Sequence, residues 1–453
     1  MKKIYLIAAL IGFSNLVIAQ ELPHEKQQQE GNQGLLPLPP HLDPNVFADL
    51  KVLTYDASSI NELTVKQKEL VYYLSQAALS GREIIYAQNY KHNILIKRTL
   101  EELYAKYEGD KGGEWMLFDT YVKRFWFSNG IHHHYAEKKF VPEFPQEFLR
   151  HMINETPNLN LPKEKGETDD QFIERIVTIL FDESLDAKKV VKDKGVDKVA
   201  LSANNYYGDG VTEEEAIAHY AKMGKPGDKT PVEYGLNSRL VKKNGKLVDL
   251  VYKSGGLYGT AMDEMIFWLK KAKDVAENPA QAKHIAMLIE YFKTGDLKQW
   301  DATNINWVNS TEGDIDFILG FIEVYGDAIG YKGAFEGVIQ VNDKEASKRM
   351  EVLSKNAQYF EDNSSIMPEH KKANVVGVSY RVINAAMESG DAAPATPIGV
   401  NLPNSNWIRS THGSKSISLG NIVEAYNAAG GSSSLNEFYY DIVPGSVIVD
   451  PWR

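Results

Sequence analysis

Apolar residues recur at helical spacing from about residue 46 to residue 230, and shorter apolar runs typical of strands appear after that point. Three threonines in the helical part stand three residues ahead of a Gln or Glu, which is the spacing of a capping box. The three pairs are Thr64 with Gln67, Thr168 with Gln171, and Thr212 with Glu215. The pattern predicts that a helix begins at each of these threonines.

The second part of the chain contains a hairpin signal. Residues 240–248 surround Asn244-Gly245, and Asn and Gly tolerate the positive φ that a type I′ turn requires. We therefore predict two short strands joined at this turn. Three further segments have helical spacing, and they are residues 262–275, 281–293 and 344–360.

Three apolar segments in the same part are too short for their spacing to decide the structure. Residues 317–325 and 335–341 fit buried strands or short apolar elements, and residues 375–383 fit a strand or a helix equally well. A few strand signals among many helical ones predict an α+β fold, in which a small sheet is embedded among helices.

The N-terminal residues match the pattern of a Sec signal peptide over residues 1–19. Two lysines precede an apolar run at residues 4–13, and Ala19 supplies the small residue at the cleavage point. A membrane anchor is the alternative, but the run is short for a membrane span. Residues 20–45 are rich in Gln and Pro, which predicts an extended linker. We expect an exported protein, periplasmic or secreted, with no membrane contact after signal cleavage.

Composition narrows the possible chemistry. The 453 residues include 50 basic and 61 acidic ones, for a formal net charge of −11. This balance argues against a general nucleic-acid binder, which needs a basic face, so we expect no nucleic-acid partner. The chain contains no cysteine. Disulfides, thiolate zinc sites, iron–sulfur clusters and cysteine nucleophiles are therefore excluded, and a transition metal would need His, Asp or Glu ligands.

Residues 128–137 contain three adjacent histidines followed by a glutamate. If this segment is helical, His133 and Glu137 share one face at i, i+4 and could hold zinc. Adjacent histidines on a helix point in different directions, however, so the three cannot reach one ion. The alternative is a buried hydrogen-bonding cluster beside the wall of a cleft.

Residues 396–409 are rich in proline and asparagine. Prolines hold such a segment extended, which leaves its backbone groups free to pair with another extended chain. Asn401 and Asn404 each offer a donor and an acceptor, which match the groups of a peptide backbone. The alternative is a surface loop with ordinary asparagine turns.

Several of these segments, taken together and in order, resemble the dipeptidyl peptidase III family of zinc exopeptidases, and its bacterial branch most of all. The resemblance extends from about residue 50 to about residue 430. The matching segments are Phe125-Trp126-Phe127-Ser128-Asn129-Gly130-Ile131-His132-His133-His134-Tyr135, Gly320-Phe321-Ile322-Glu323-Val324-Tyr325, residues 333–337, Gly399-Val400-Asn401-Leu402-Pro403-Asn404 and Ser418-Leu419-Gly420-Asn421.

The resemblance implies a two-lobed protein. One lobe would carry a five-stranded barrel surrounded by helices, and the other, mostly helical, would hold the zinc. On this basis residues 46–336 form the lower barrel lobe, residues 337–385 begin an incomplete upper lobe, residues 386–430 return to the lower lobe and residues 431–453 form an unmatched tail. The cleft between the lobes would bind an extended oligopeptide, from which a dipeptide is cut at the free N-terminus.

The resemblance also assigns substrate-binding residues. Asn401 and Asn404 would grip the peptide backbone and its N-terminal end. Asp316 falls near the position at which the family places a carboxylate for the peptide ammonium group. The remaining residues carried over are Glu323, Tyr325 and Tyr426.

One departure from the family concerns the metal. The family's zinc is held by a His-Glu-x-x-x-His motif and by a glutamate of a later Glu-Glu-x-x-Ala-Asp-like motif, and neither occurs in the 453 residues. We therefore expect a member truncated before its zinc motifs, which holds no zinc, contains no catalytic residue or metal ligand and is inactive alone. Three hypotheses follow: a peptidase completed by a second polypeptide, a non-catalytic peptide-binding module, and a remnant without function.

Overall fold

A computed structural model describes residues 18–21, 46–375, 378–394 and 396–428. The first half of this part is helical, and three short strands precede its helices. The helices there are α1 (Val65–Ser80), α2 (Arg82–Asn89), α3 (Asn93–Lys106), α4 (Gly113–Phe127), α5 (Gln146–Glu155), α6 (Asp169–Phe181), α7 (Lys198–Leu201) and α8 (Glu213–Ala221). All three predicted capping boxes are confirmed, at the first turns of α1, α6 and α8.

The second half mixes helices with strands. Its helices are α9 (Gly259–Asp274), α10 (Pro279–Thr294), α11 (Leu297–Asn309), α12 (Lys344–Lys355), α13 (Ala357–Asp362), α14 (Asn406–His412) and α15 (Gly420–Ala428), and 3₁₀ turns lie at Ser58–Glu62 and Pro368–His370. The three predicted helices correspond to α9, α10 and the pair α12–α13. Helix α11 was not predicted.

The strands form three sheets. They are β1 (Ile18–Glu21), β2 (Val46–Phe47), β3 (Leu50–Leu53), β4 (Ser238–Lys243), β5 (Lys246–Val251), β6 (Ile315–Phe321), β7 (Phe335–Asn342), β8 (Val378–Gly390), β9 (Gly399–Leu402) and β10 (Ser414–Leu419). Strands β1, β3 and β2 make a small antiparallel sheet. Strands β4 and β5 form the predicted hairpin, with positive φ at both Asn244 and Gly245.

The central sheet has five strands in the order β6-β7-β8-β10-β9. Neighbouring strands are antiparallel, except that β8 and β10 run parallel. The mixed α and β fold is thus confirmed. The expected barrel is not seen as a closed ring, because no ladder joins β6 to β9 in the part of the chain that the structure describes. The predicted lobe boundaries stay a prediction.

Two large hydrophobic cores hold most of these elements in the described part of the chain, and smaller clusters lie around Tyr207 and around Phe127. The larger core lies between the central sheet and helices α1, α9, α10 and α11, and the second, rich in aromatic side chains, lies among α3, α4, α5 and α6. Between β7 and β8, helices α12 and α13 and the turn after them expose several large apolar side chains, by 46–62%. These are Val352, Tyr359, Phe360, Ile366 and Met367. None of the described helices combines the length and the apolar character that a membrane span requires.

Candidate functional site

Strand β9 is an edge strand with an open hydrogen-bonding side. The backbone N–H of Leu419 donates to the carbonyl of Ile398 at 2.9 Å, which fixes the phase of the antiparallel ladder between β9 and β10. Bonded and non-bonded pairs alternate along such a ladder, so the backbone N–H and C=O groups of Gly399 and Asn401 point away from β10. Both residues are exposed. The described residues therefore leave this edge free to accept another strand.

A polar cluster lies where β9 ends. Asn404 follows the strand by two residues, and its Nδ2 donates to Oε2 of Glu323 at 3.1 Å. Glu323 belongs to the loop between β6 and β7, and its carboxylate also accepts a hydrogen bond from Tyr325. The Tyr325 side chain is 70% exposed. The structure thus brings together three of the predicted residues, Asn404, Glu323 and Tyr325. They lie at the end of β9, next to the open edge that includes Asn401.

Further carboxyl groups lie behind this cluster, and the sequence analysis missed them. Glu336 on β7 stands opposite Gly390, whereas Glu388 on β8 stands opposite Val338. The two glutamates are therefore diagonal neighbours on one face of the sheet. Both are buried, and Oε2 of Glu388 accepts a hydrogen bond from Thr396 at 2.5 Å. The feature of the sequence that could have identified them is a glutamate inside an otherwise apolar strand.

Burial shifts the ionisation of this acidic recess, which comprises Glu323, Glu336, Glu388 and Asp391. Desolvation raises the pKa of Glu388 to about 8. The pKa values of Glu336 and Asp391 are also raised by burial, and the nearby Lys189 partly offsets the effect at Asp391. Burial also raises the pKa of Glu323, although hydrogen bonds from Asn404 and Tyr325 stabilise its charged form and oppose this shift. A cation placed among these groups would favour their charged forms.

Asp316 lies in a different environment from the Asn404–Glu323 pair. Its Oδ2 contacts Nζ of Lys415 at 2.7 Å, and its Oδ1 accepts a hydrogen bond from the Trp307 indole at 2.9 Å. Lys415 is buried, so the two charges compensate each other inside the protein. The carboxylate of Asp316 is therefore already occupied by a cation of the chain itself.

Tyr426 lies on α15, half-buried against the larger core. Burial raises the pKa of its hydroxyl to about 12, with smaller contributions from Tyr135 and Glu388. Tyr426 is thus close to the acidic recess on the side of Glu388, whereas Tyr325 approaches it on the side of Glu323.

The histidine segment is not helical, so the zinc hypothesis for His133 and Glu137 is wrong. Asn129 and Gly130 both have positive φ, and the N–H of Gly130 donates to the carbonyl of Phe125, which ends α4 before the histidines. Nδ1 of His133 accepts hydrogen bonds from two backbone N–H groups at 3.0 and 3.2 Å.

His133 and Glu137 also have ionic partners within the described residues, whereas both ring nitrogens of His134 are buried there without a hydrogen-bond partner. Nε2 of His133 lies 3.4 Å from Asp49, and Glu137 pairs with Lys192 at 3.6 Å. The hydrogen-bonding cluster is therefore the alternative that the structure supports. Within the described ranges, no group of three His, Asp or Glu side chains could hold a metal ion. These residues do not fit the family's zinc.

Comparison with known proteins places this geometry in a family. The family model of peptidase family M49 matches residues 219–438. Human dipeptidyl peptidase 3 is 23% identical over 400 residues, which cover 80% of this chain and 53% of the human protein. The family model and the curated relatives support the dipeptidyl peptidase III family for this chain. The chain spans about half the length of the curated relatives it matches.

Solved structures agree on the fold. Dipeptidyl peptidase III from Caldithrix abyssi superposes with a TM-score of 0.58 at 22% identity, covering 83% of this chain and 58% of that one. The enzyme from Corallococcus sp. strain EGB gives a TM-score of 0.57 at 19% identity, covering 82% of this chain and 56% of that one. At these identities the likeness concerns the fold of the dipeptidyl peptidase III family alone.

Proposed function

We propose that this chain binds oligopeptides by their free amino terminus, as the peptide-binding part of a dipeptidyl peptidase III protein. The observation that carries the proposal is the contact between Asn404 and Glu323, which places a carboxylate at the end of an open edge strand. An extended peptide that pairs with that edge would bring its ammonium group to this carboxylate.

Each part of the site has a role in this proposal. The N–H and C=O groups of Gly399 and Asn401 pair with the peptide backbone, as an added strand does. The exposed side chain of Asn401 supplies one more donor and one more acceptor. Glu323 accepts hydrogen bonds from the ammonium group, and such charge-assisted bonds are stronger than neutral ones. Asn404 holds the Glu323 carboxylate at the strand end, so little reorganisation is needed on binding.

The acidic recess supports the same orientation. Glu336, Glu388 and Asp391 lie behind Glu323, and burial raises their pKa values, which favours their neutral forms. A peptide ammonium group placed beside them would favour their charged forms, whereas the carboxylate at the other end of the peptide would not. The recess therefore fixes the direction in which the peptide lies.

Zinc-dependent release of N-terminal dipeptides is the activity that the family implies. Zinc would supply a Lewis acid and an activated water. Because the described residues hold no suitable ligand set, binding alone is proposed for this part of the chain. Peptidase activity would require ligands from elsewhere, such as a second polypeptide. Zinc content and turnover of a dipeptidyl-naphthylamide substrate distinguish the two functions.

We also propose export through the predicted signal peptide, which N-terminal sequencing of the mature protein tests.

The binding function is tested by calorimetry with an alanine-rich pentapeptide, either with a free amino terminus or N-acetylated. We expect the free peptide to bind and the acetylated one to bind at least about tenfold more weakly, since a charge-assisted contact is lost. Absence of binding by both peptides would favour a remnant without function.

A further inference from the structure

The loop that carries Glu323 and Tyr325 is built around one buried carboxylate. Asp327 is only 4% exposed, and its Oδ2 accepts hydrogen bonds from the backbone N–H groups of Tyr331 at 2.7 Å and Lys332 at 3.0 Å. Its Oδ1 accepts a third from the N–H of Ile329 at 3.2 Å. One side chain thus satisfies three backbone donors of the loop between β6 and β7.

Asp327 is in turn attached to a distant part of the chain. The hydroxyl of Tyr207 donates to Oδ2 of Asp327 at 2.8 Å, across 120 positions of sequence. Nearby, Nδ2 of Asn204 donates to the carbonyl of Gly326 at 3.1 Å. Two side chains of the 204–207 segment therefore hold the loop at adjacent points.

A buried lysine secures the far end of the same loop. Lys332 is completely buried, and its Nζ donates to the carbonyl of Gly235 and to the hydroxyl of Ser238, each at 3.2 Å. It also donates to the hydroxyl of Tyr220 and lies 3.7 Å from Asp249. This end of the loop cannot move without breaking a largely buried polar network, which is costly.

The binding end of the loop has fewer attachments. The carbonyl of Glu323 accepts from the N–H of Ala334 at 2.7 Å, and the N–H of Asp327 donates to the carbonyl of Val324 at 3.1 Å. The position of the Glu323 carboxylate therefore depends on the short turn that follows it, and this turn ends at Asp327. A shift of Asp327 would be passed directly to the residue beside Glu323.

We propose that Asp327, held by Tyr207, is a positioning residue that aims Glu323 at the amino terminus of the bound peptide. The inference rests on the proposed function, because it concerns the same ammonium contact. Neither Asp327 nor Tyr207 touches the peptide in this arrangement. Their effect appears only in the geometry of Glu323, so they should influence selectivity for a free amino group rather than affinity for peptides in general.

The test is calorimetry on Tyr207→Phe, which removes one hydrogen bond and keeps the ring. Tyr90→Phe is the matched control, because Tyr90 is also buried and its hydroxyl donates to Asp186 at 2.6 Å, beside the aromatic core of α3, α4, α5 and α6. Asp327→Asn is the stronger second variant. Each protein is titrated with the free and the N-acetylated pentapeptide, and the ratio of the two dissociation constants is compared.

We expect Tyr207→Phe to lower the preference for the free peptide about threefold to tenfold, the range that one hydrogen bond accounts for. Tyr90→Phe should keep the wild-type preference. An unchanged preference in Tyr207→Phe, or an equal loss of affinity for both peptides, would overturn the positioning role while leaving the proposed function intact. A wild-type protein that binds both peptides equally would contradict the proposed function itself, and with it this inference.

Discussion

Asn404 and Glu323 are 81 positions apart in sequence, and their side chains meet at 3.1 Å. The contact joins the end of strand β9 to the loop between β6 and β7. Strands β6 and β9 are the two outermost strands of the central sheet. An open strand edge and a carboxylate are thereby placed next to each other. This juxtaposition is the basis for proposing that the chain binds peptides.

Substitution of Glu323 by Gln tests the carboxylate. The neutral amide keeps the shape and can still contact Asn404, but it loses the charge that attracts an ammonium group. We expect affinity for a free-amino pentapeptide to fall about tenfold, with little change for its N-acetylated form, as measured by calorimetry. Glu174→Gln on the exposed face of α6 is the control and should change neither. Equal losses for both peptides would argue against a role for the Glu323 charge.

The buried pair of Asp316 and Lys415 should behave as a structural element. Lys415→Met leaves the Asp316 carboxylate without its cation, and we expect unfolding free energy to fall by ~3–5 kcal/mol in denaturant titrations. The double variant Lys415→Met with Asp316→Leu should recover most of that loss. Asp316→Asn should leave the preference for free-amino peptides unchanged, and a selective loss of that preference would instead support Asp316 as the ammonium partner.

Glu388 should make stability depend on pH. Its folded-state pKa of about 8 lies well above the ~4.3 of an unfolded glutamate. Both states are protonated below that lower value, so the full stability is present there and is lost as pH rises toward 8. Glu388→Gln removes this titration. In denaturant titrations, the unfolding free energy of this variant should match that of wild type near pH 4.5. At pH 8 it should exceed the wild-type value by roughly 1–4 kcal/mol. A difference that does not vary with pH would contradict the buried, protonated glutamate.

The capping box at the start of α6 offers a local test of the fold. Thr168 accepts a hydrogen bond from the N–H of Gln171, so Thr168→Ala should lower unfolding free energy by ~1 kcal/mol in chemical denaturation. Thr178 is exposed in the interior of the same helix, and Thr178→Ala should stay within ~0.5 kcal/mol of wild type. Equal effects of the two substitutions would show that the cap adds nothing.

Local features of the fold were predictable from sequence. The three capping boxes and the Asn244-Gly245 turn depend on side chains and backbone angles within a few residues, and all four are found. The histidine segment failed for a local reason as well, since positive φ at Asn129 and Gly130 ends the preceding helix. An Asn-Gly pair ahead of the histidines carried that signal.

Features that depend on distant pairing were not predictable. Residues 375–383 fitted helix and strand equally, and only pairing with β7 and β10 makes β8 a strand. The diagonal placement of Glu336 and Glu388 requires the register of two strands about 50 residues apart in sequence. Likewise, nothing near Asp316 in sequence indicates that Lys415 neutralises it. The resemblance supplied candidate residues for the site, whereas the partners of those residues follow from the folded sheet.

Residue-resolved amide hydrogen exchange along β9, measured with and without the free-amino pentapeptide, tests the central claim most directly. Strand addition predicts that the amides of Gly399 and Asn401, which point to the open edge, become protected on binding, whereas those of Val400 and Leu402 already bond to β10 and change little. Saturating peptide that leaves Gly399 and Asn401 exchanging at their original rates would contradict it.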